Sequence, residues 1–104
     1  MSEILIGWTT CDNSDVADRL ANEMIERGLA ACVQIEDSVR SVFKWKGQIQ
    51  SDLECRLCVK FDTVKLDAMN HFIKANHPYE CPEWVVVRPE FVSEKYLSWA
   101  TGEA

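Results

Sequence analysis

The stretch Glu54–Phe61, ECRLCVKF, decides how this chain folds. Cys55, Leu57, Val59 and Phe61 alternate with Glu54, Arg56, Cys58 and Lys60, the period of two that sends one set of side chains to each face of a strand. The alternation predicts a half-buried antiparallel strand within Ile49–Phe61. It also bears on CRLC, which otherwise suggests a zinc ribbon or a redox pair. Residues i and i+3 of a strand point to opposite faces and lie roughly 10 Å apart at ~3.3 Å per residue, whereas a disulfide needs Cα atoms within about 7 Å. No second CxxC completes a tetrahedral site, so these are read as structural thiols.

Upstream, KGQ around Gly47 is a turn, and VRSVFKW before it is a β-branched and aromatic run. The polar EDS separates that run from another strand, ACVQI, Ala31–Ile35. Before it, Val16, Leu20 and Met24 with Ala17, Ala21 and Ile25 form the buried stripe of a helix over Ser14–Arg27. CDNSD offers its N-cap, and Gly28 stands where a C-terminal glycine belongs. Ile4–Thr9 is an apolar first strand. Downstream, Asp62 and Thr63 cap a second helix with the stripe Leu66, Met69, Phe72 and Ile73, which stops by Asn76 or His77. EWVVVRP then reads as a central or interface strand, and Val92–Ala100 as a short terminal helix. The order β, α, β, β with an extended hairpin, α, β and a helical tail predicts an α+β, ferredoxin-like split βαβ fold. One sheet face is left to be covered, and another copy of the chain is the expected cover.

At 104 residues a single domain, 1–104, is expected. The hydrophobic fraction of 47% suits a globular chain. Eleven Lys and Arg against seventeen Asp and Glu give a net charge of -6, which argues against nucleic-acid binding, since that depends on clustered cations. MSEILIGWTTCDN lacks the basic and long apolar regions of a signal peptide, and no apolar run approaches a membrane span. Five cysteines, at 11, 32, 55, 58 and 81, suit a reducing compartment. A soluble, cytoplasmic protein is expected, with no membrane partner.

No GxGxxG, P-loop or GxSxG motif occurs, and no enzymatic activity is expected. The chemically richest stretch is HPYECPE, His77–Glu83. Pro78 and Pro82 stiffen it, and His77, Glu80, Cys81 and Glu83 are fit donors for a borderline cation such as Cu(II) or Zn(II). A rigid turn would use the same residues. Cys11, at a strand-to-helix turn, is the thiol best placed to bind or react.

The runs GLAACV, WKG, HPYECPE and YLSWA, in this order and spacing, resemble the CutA1 family, named for divalent-cation tolerance. The resemblance covers Ile4–Trp99 and implies a compact homotrimer with strands paired between subunits and clefts at their boundaries, much like the PII signalling proteins. Phe43, Trp45, Tyr79, Trp84 and Trp99 are then candidates for interface packing. The family's link to divalent ions implies metal contacts at a first-strand cysteine and at the HPY loop. In this chain the first-strand position falls on Thr9, with Cys11 two residues later, and Asn76 stands where such members carry a second histidine. The implied ligands are Glu83, His77 and Cys11, with copper or zinc as the ion and no cofactor required. Two other readings are a PII-like trimeric regulator holding a small anion or metabolite in the intersubunit cleft, lined by Lys60 and Tyr79, and a structural trimer without ligand.

Overall fold

In the computed structural model, which describes residues 3–103, four strands form one antiparallel sheet in the order β2-β3-β1-β4. They are β1 (Ile4–Cys11), β2 (Cys32–Trp45), β3 (Gln48–Asp62) and β4 (Val85–Val87). Helices α1 (Ser14–Glu26) and α2 (Leu66–Asn76) cover one face, and the short α3 (Glu94–Ser98) runs into a wider turn over Trp99–Glu103. The fold is the expected α+β, ferredoxin-like one, with β3 inserted between the two strands that α1 connects.

Local chemistry sets the element ends. The Asn13 side chain accepts a hydrogen bond from the Val16 amide at 2.9 Å and caps α1. Gly28, at φ +68, closes the helix, with the Leu29 amide donating back to the Met24 carbonyl at 2.9 Å. Asp62 caps the turn Thr63–Lys65 through the Val64 amide, and that turn leads into α2. Cys55, Leu57, Val59 and Phe61 of β3 are buried beneath Leu20 and Met24 of α1 and Met69, Phe72 and Ile73 of α2.

Two expectations need correction. ACVQI and VRSVFKW are one 14-residue strand, β2, and EDS is a β-bulge within it. Glu36 pairs with Arg56 and Val39 with Glu54, so Asp37 and Ser38 together face Cys55 alone. The extra residue inverts the alternation. Val33 packs on the helix-side core, and an unbroken strand would point Phe43 and Trp45 the same way. Beyond the bulge, Phe43 pairs with Gln50 and Trp45 with Gln48, on the face that carries Glu54. The second correction concerns β4, for which a central or an interface strand was expected; it is not central but an edge strand bonded to β1 alone within this chain. Val86 packs against the core, while Val85 and Val87 are exposed.

The hairpin closes through Lys46 (φ 51) and Gly47 (φ 81), both left-handed, as a two-residue turn matching the strand twist requires. Gly47→Val forces a β-branched side chain into that conformation. It should cost about 1–2 kcal/mol, read as a lower urea midpoint; an unchanged midpoint would show that the turn relaxes freely.

Candidate functional site

The cleft begins where α2 ends. His77, preceding Pro78, takes an extended conformation (φ -75, ψ 132), so the helix stops and the loop turns back toward the sheet. Its ring is a staple. Nε2 lies 2.8 Å from the Thr10 carbonyl, and the Tyr79 amide donates to Nδ1 at 3.1 Å. A carbonyl only accepts and an amide N–H only donates, so the ring is the neutral tautomer protonated at Nε2. Burial pushes its pKa below the ordinary value of 6.5, against smaller raising effects from the Thr10 hydrogen bond and Glu54. Two residues on, the Tyr79 hydroxyl donates to Glu54 Oε2 at 2.9 Å, which ties the loop to β3. Burial, then the bond and charge of Glu54, holds the phenol well above its usual pKa.

Between this loop and the far half of the hairpin lies a cleft of about 570 Å³. The bulge brings Phe43 and Trp45 into its wall, and Tyr79 supplies a third ring. Asp52, Glu54, Glu80 and Glu83 supply four carboxylates, with Thr10, Gln50 and Cys81 completing the lining. No Lys or Arg lines it, and none of the four carboxylates is in an ion pair among the described residues. The cleft is a concentrated negative field beside aromatic walls, suited to cations.

The residues singled out from the sequence divide accordingly. Glu83, Tyr79, Phe43 and Trp45 line the cleft. His77 stands behind the wall with both ring nitrogens engaged, leaving no lone pair for a metal. Cys11 is fully buried and its thiol points to the Asn13 carbonyl at 3.6 Å. Burial, then Cys55 opposite it, pushes that thiol up to about 11, far from the thiolate a metal needs. Within one chain Glu83, His77 and Cys11 are thus not brought together as a ligand set, and among the described residues no three His, Cys, Asp or Glu side chains gather to hold an ion. Within one chain Lys60 does not line this cleft; its ammonium lies 5.7 Å over the Tyr96 ring, beside the tail. The indole of Trp84 is engaged within the chain, stacked on Phe61 at 6.0 Å and donating to Asn70 Oδ1 at 2.8 Å. Trp99 is 39% exposed beside Tyr96. Asp52 and Glu54 were not anticipated. Their place on the polar face of β3 is readable from alternation, but the loop that closes over them comes from 25 residues further on.

Fold and cleft together define a ferredoxin-like domain with an acidic, aromatic-walled groove on the sheet side away from α1 and α2. The family model described as CutA1 divalent ion tolerance protein matches residues 5–103, and the chain belongs to that family. It is 33% identical to the divalent-cation tolerance protein CutA of Thermus thermophilus, over 95% of this chain and 94% of that protein. It is 35% identical to the protein CutA homolog of Xenopus laevis over 88% of this chain. The chain spans 61%, 52% and 54% of the first curated relatives it matches. The crystal structure of CutA1 from Oryza sativa superposes with a TM-score of 0.89 at 36% identity, covering 97% of this chain and 95% of that one.

Proposed function

We propose that this is a homotrimeric, cytoplasmic, cation-responsive protein that collects divalent ions such as copper or zinc at the acidic cleft, with Glu83 as a contact. The observation that carries this reading is the cleft's four carboxylates, none of them in an ion pair among the described residues, with no basic side chain in the lining. Carboxylates spread around a groove suit weakly held, water-shelled ions better than a closed chelate. The charge of the cleft disfavours the small-anion alternative. We assign no enzymatic role; Cys11, the thiol singled out from the sequence, is fully buried with its pKa pushed up to about 11 by that burial, which makes it a poor nucleophile.

The trimer is supported by what one chain leaves open. The outer edges of β2 and β4 have no strand beside them among the described residues, and such edges invite pairing. Val42, Leu53 and Ile49 on the hairpin are 64%, 67% and 77% exposed, an apolar load that closed association would hide. The scattered free thiols suit the reducing cytoplasm, and the cleft's charge leaves nucleic acid no role. No described helix is long and apolar enough to cross a membrane.

Native mass spectrometry with Zn(II) or Cu(II), alongside Glu83→Gln, tests both parts. The expected result is a trimer taking up about one ion per subunit, with uptake reduced roughly tenfold in affinity by the variant. A folded monomer sinks the assembly, and uptake indifferent to Glu83 sinks the site. In that case the trimer is structural, and adventitious thiol binding explains any copper bound.

A further inference from the structure

We propose that Cys11 and Cys55 form a reversible disulfide that draws together the two anchor points of the 77–83 loop. The two cysteines stand directly opposite each other in the β1–β3 register, and among the described residues no other two cysteines do so. Directly opposed residues share one sheet face, and Cys55 faces the helices, so both sulfurs lie in the core that this chain's own α1 and α2 cover. Their proximity owes nothing to a neighbouring copy. The Cα atoms of opposed antiparallel residues lie about 4.5–5.5 Å apart, inside the window of about 4.4–6.8 Å that a disulfide spans. Only weak contacts compete for the thiols, which point to the Asn13 carbonyl at 3.6 Å and the Asp37 carbonyl at 3.7 Å.

The position of the pair gives the bond a consequence. Thr10 and Glu54, which adjoin the two cysteines in sequence, are where the loop is held: the Thr10 carbonyl meets His77 Nε2 at 2.8 Å, and Glu54 accepts from the Tyr79 hydroxyl at 2.9 Å. The Cβ atoms of opposed residues stand about 4.5–5.5 Å apart and a disulfide needs about 3.8 Å, so closing the bond pulls β1 and β3 together beneath both anchors. The oxidant is a hydroperoxide. Cys55, 4% exposed against 0% for Cys11, attacks hydrogen peroxide as thiolate; the O–O bond breaks, a sulfenic acid forms, and the hydroxide released takes up the thiol proton as water. The Cys11 sulfur then displaces hydroxide from the sulfenic sulfur; the S–S bond forms, the S–O bond breaks, and the Cys11 proton leaves in the second water. Two thiols are oxidised by two electrons and one peroxide becomes two waters. Burial raises the pKa of both thiols, so thiolate is scarce and the pair answers sustained exposure, not brief pulses.

The test treats the full chain, in its native assembly, with millimolar hydrogen peroxide. Free thiols are then blocked with N-ethylmaleimide under denaturing conditions, and the peptides are mapped by mass spectrometry. A peptide pair linking Cys11 to Cys55 is expected, formed faster at higher pH, reversed by dithiothreitol, and absent from Cys55→Val and from Cys11→Ala. Variants on two different strands keep the proposal testable should one of them disturb the core. In the bridged protein the Tyr79 amide, which donates to His77 Nδ1, should exchange its hydrogen about threefold more slowly. Peroxide-treated Cys55→Val, whose exposed Cys81 is oxidised all the same, should show no such slowing. Folded protein in which Cys81 oxidises while Cys11 and Cys55 stay reduced, or a bridge from either of them to another cysteine, would overturn the proposal. Tyr79 exchange unchanged by the bridge would overturn its hold on the loop.

Discussion

Gly7→Ala is expected to lower stability by about 3 kcal/mol, at the upper end for adding one methyl to a packed site. Gly7 sits in the central strand β1, between Val59 of β3 and Val86 of β4. A Cβ there would collide with the six-membered ring of Trp84, with Cζ3 at 2.6 Å and Cζ2 at 3.1 Å. The indole has little freedom to retreat, because it stacks on Phe61 with 25° between the planes and donates to Asn70. Moving it exposes the Phe61 end of the core and breaks that bond. Urea unfolding at one fixed protein concentration gives the difference, since dissociation would otherwise shift the midpoint. A second substitution, Trp84→Leu, removes the obstacle, and the double variant should recover part of the loss as a favourable coupling. Gly7→Ala as stable as the parent, or no recovery in the double variant, would mean that the Gly7–Trp84 contact does not define this strand.

The same pair shows where reading the sequence stopped short. Trp84 follows an exposed Glu83 and precedes three valines, and nothing local says that a glycine 77 residues earlier clears a slot for it. Alternation did locate β3, because Cys55, Leu57, Val59 and Phe61 all face the helices and each polar neighbour faces away. Three valines in a row show no alternation, so the edge position of β4 was hidden. EDS has the composition of a turn, and only pairing with Arg56 and Glu54 reveals it as a bulge. That hidden residue decides the site, since without it Phe43 and Trp45 would point to the helix face. His77 was equally opaque. Its partners are a backbone carbonyl and an amide, and backbone groups leave no mark in a sequence.

His77→Ala should cost about 3 kcal/mol and abolish a component of the protein's acid sensitivity. The substitution leaves the Thr10 carbonyl and the Tyr79 amide without their partner in a part-buried setting, and each orphaned group costs about 1–3 kcal/mol. The pH effect follows from the tautomer. Protonating Nδ1 sets an N–H against the Tyr79 N–H, and burial already disfavours the cation, so the folded-state pKa lies below 6.5. As pH falls, the unfolded chain takes up this proton first. The contribution of His77 is therefore complete above about pH 6.5 and is lost as pH drops toward the lowered folded value. Glu54 and Asp12 nearby oppose the shift and Arg19 reinforces it, while burial is the largest cause. Unfolding midpoints from about pH 7 to about pH 5 should fall for the parent and flatten for His77→Ala, apart from what other groups titrate. Zinc uptake by the folded variant should match the parent, because the imidazole has no free lone pair to lose. Uptake that vanishes while fold and assembly persist would make His77 a ligand and would require the ring to turn away from Thr10.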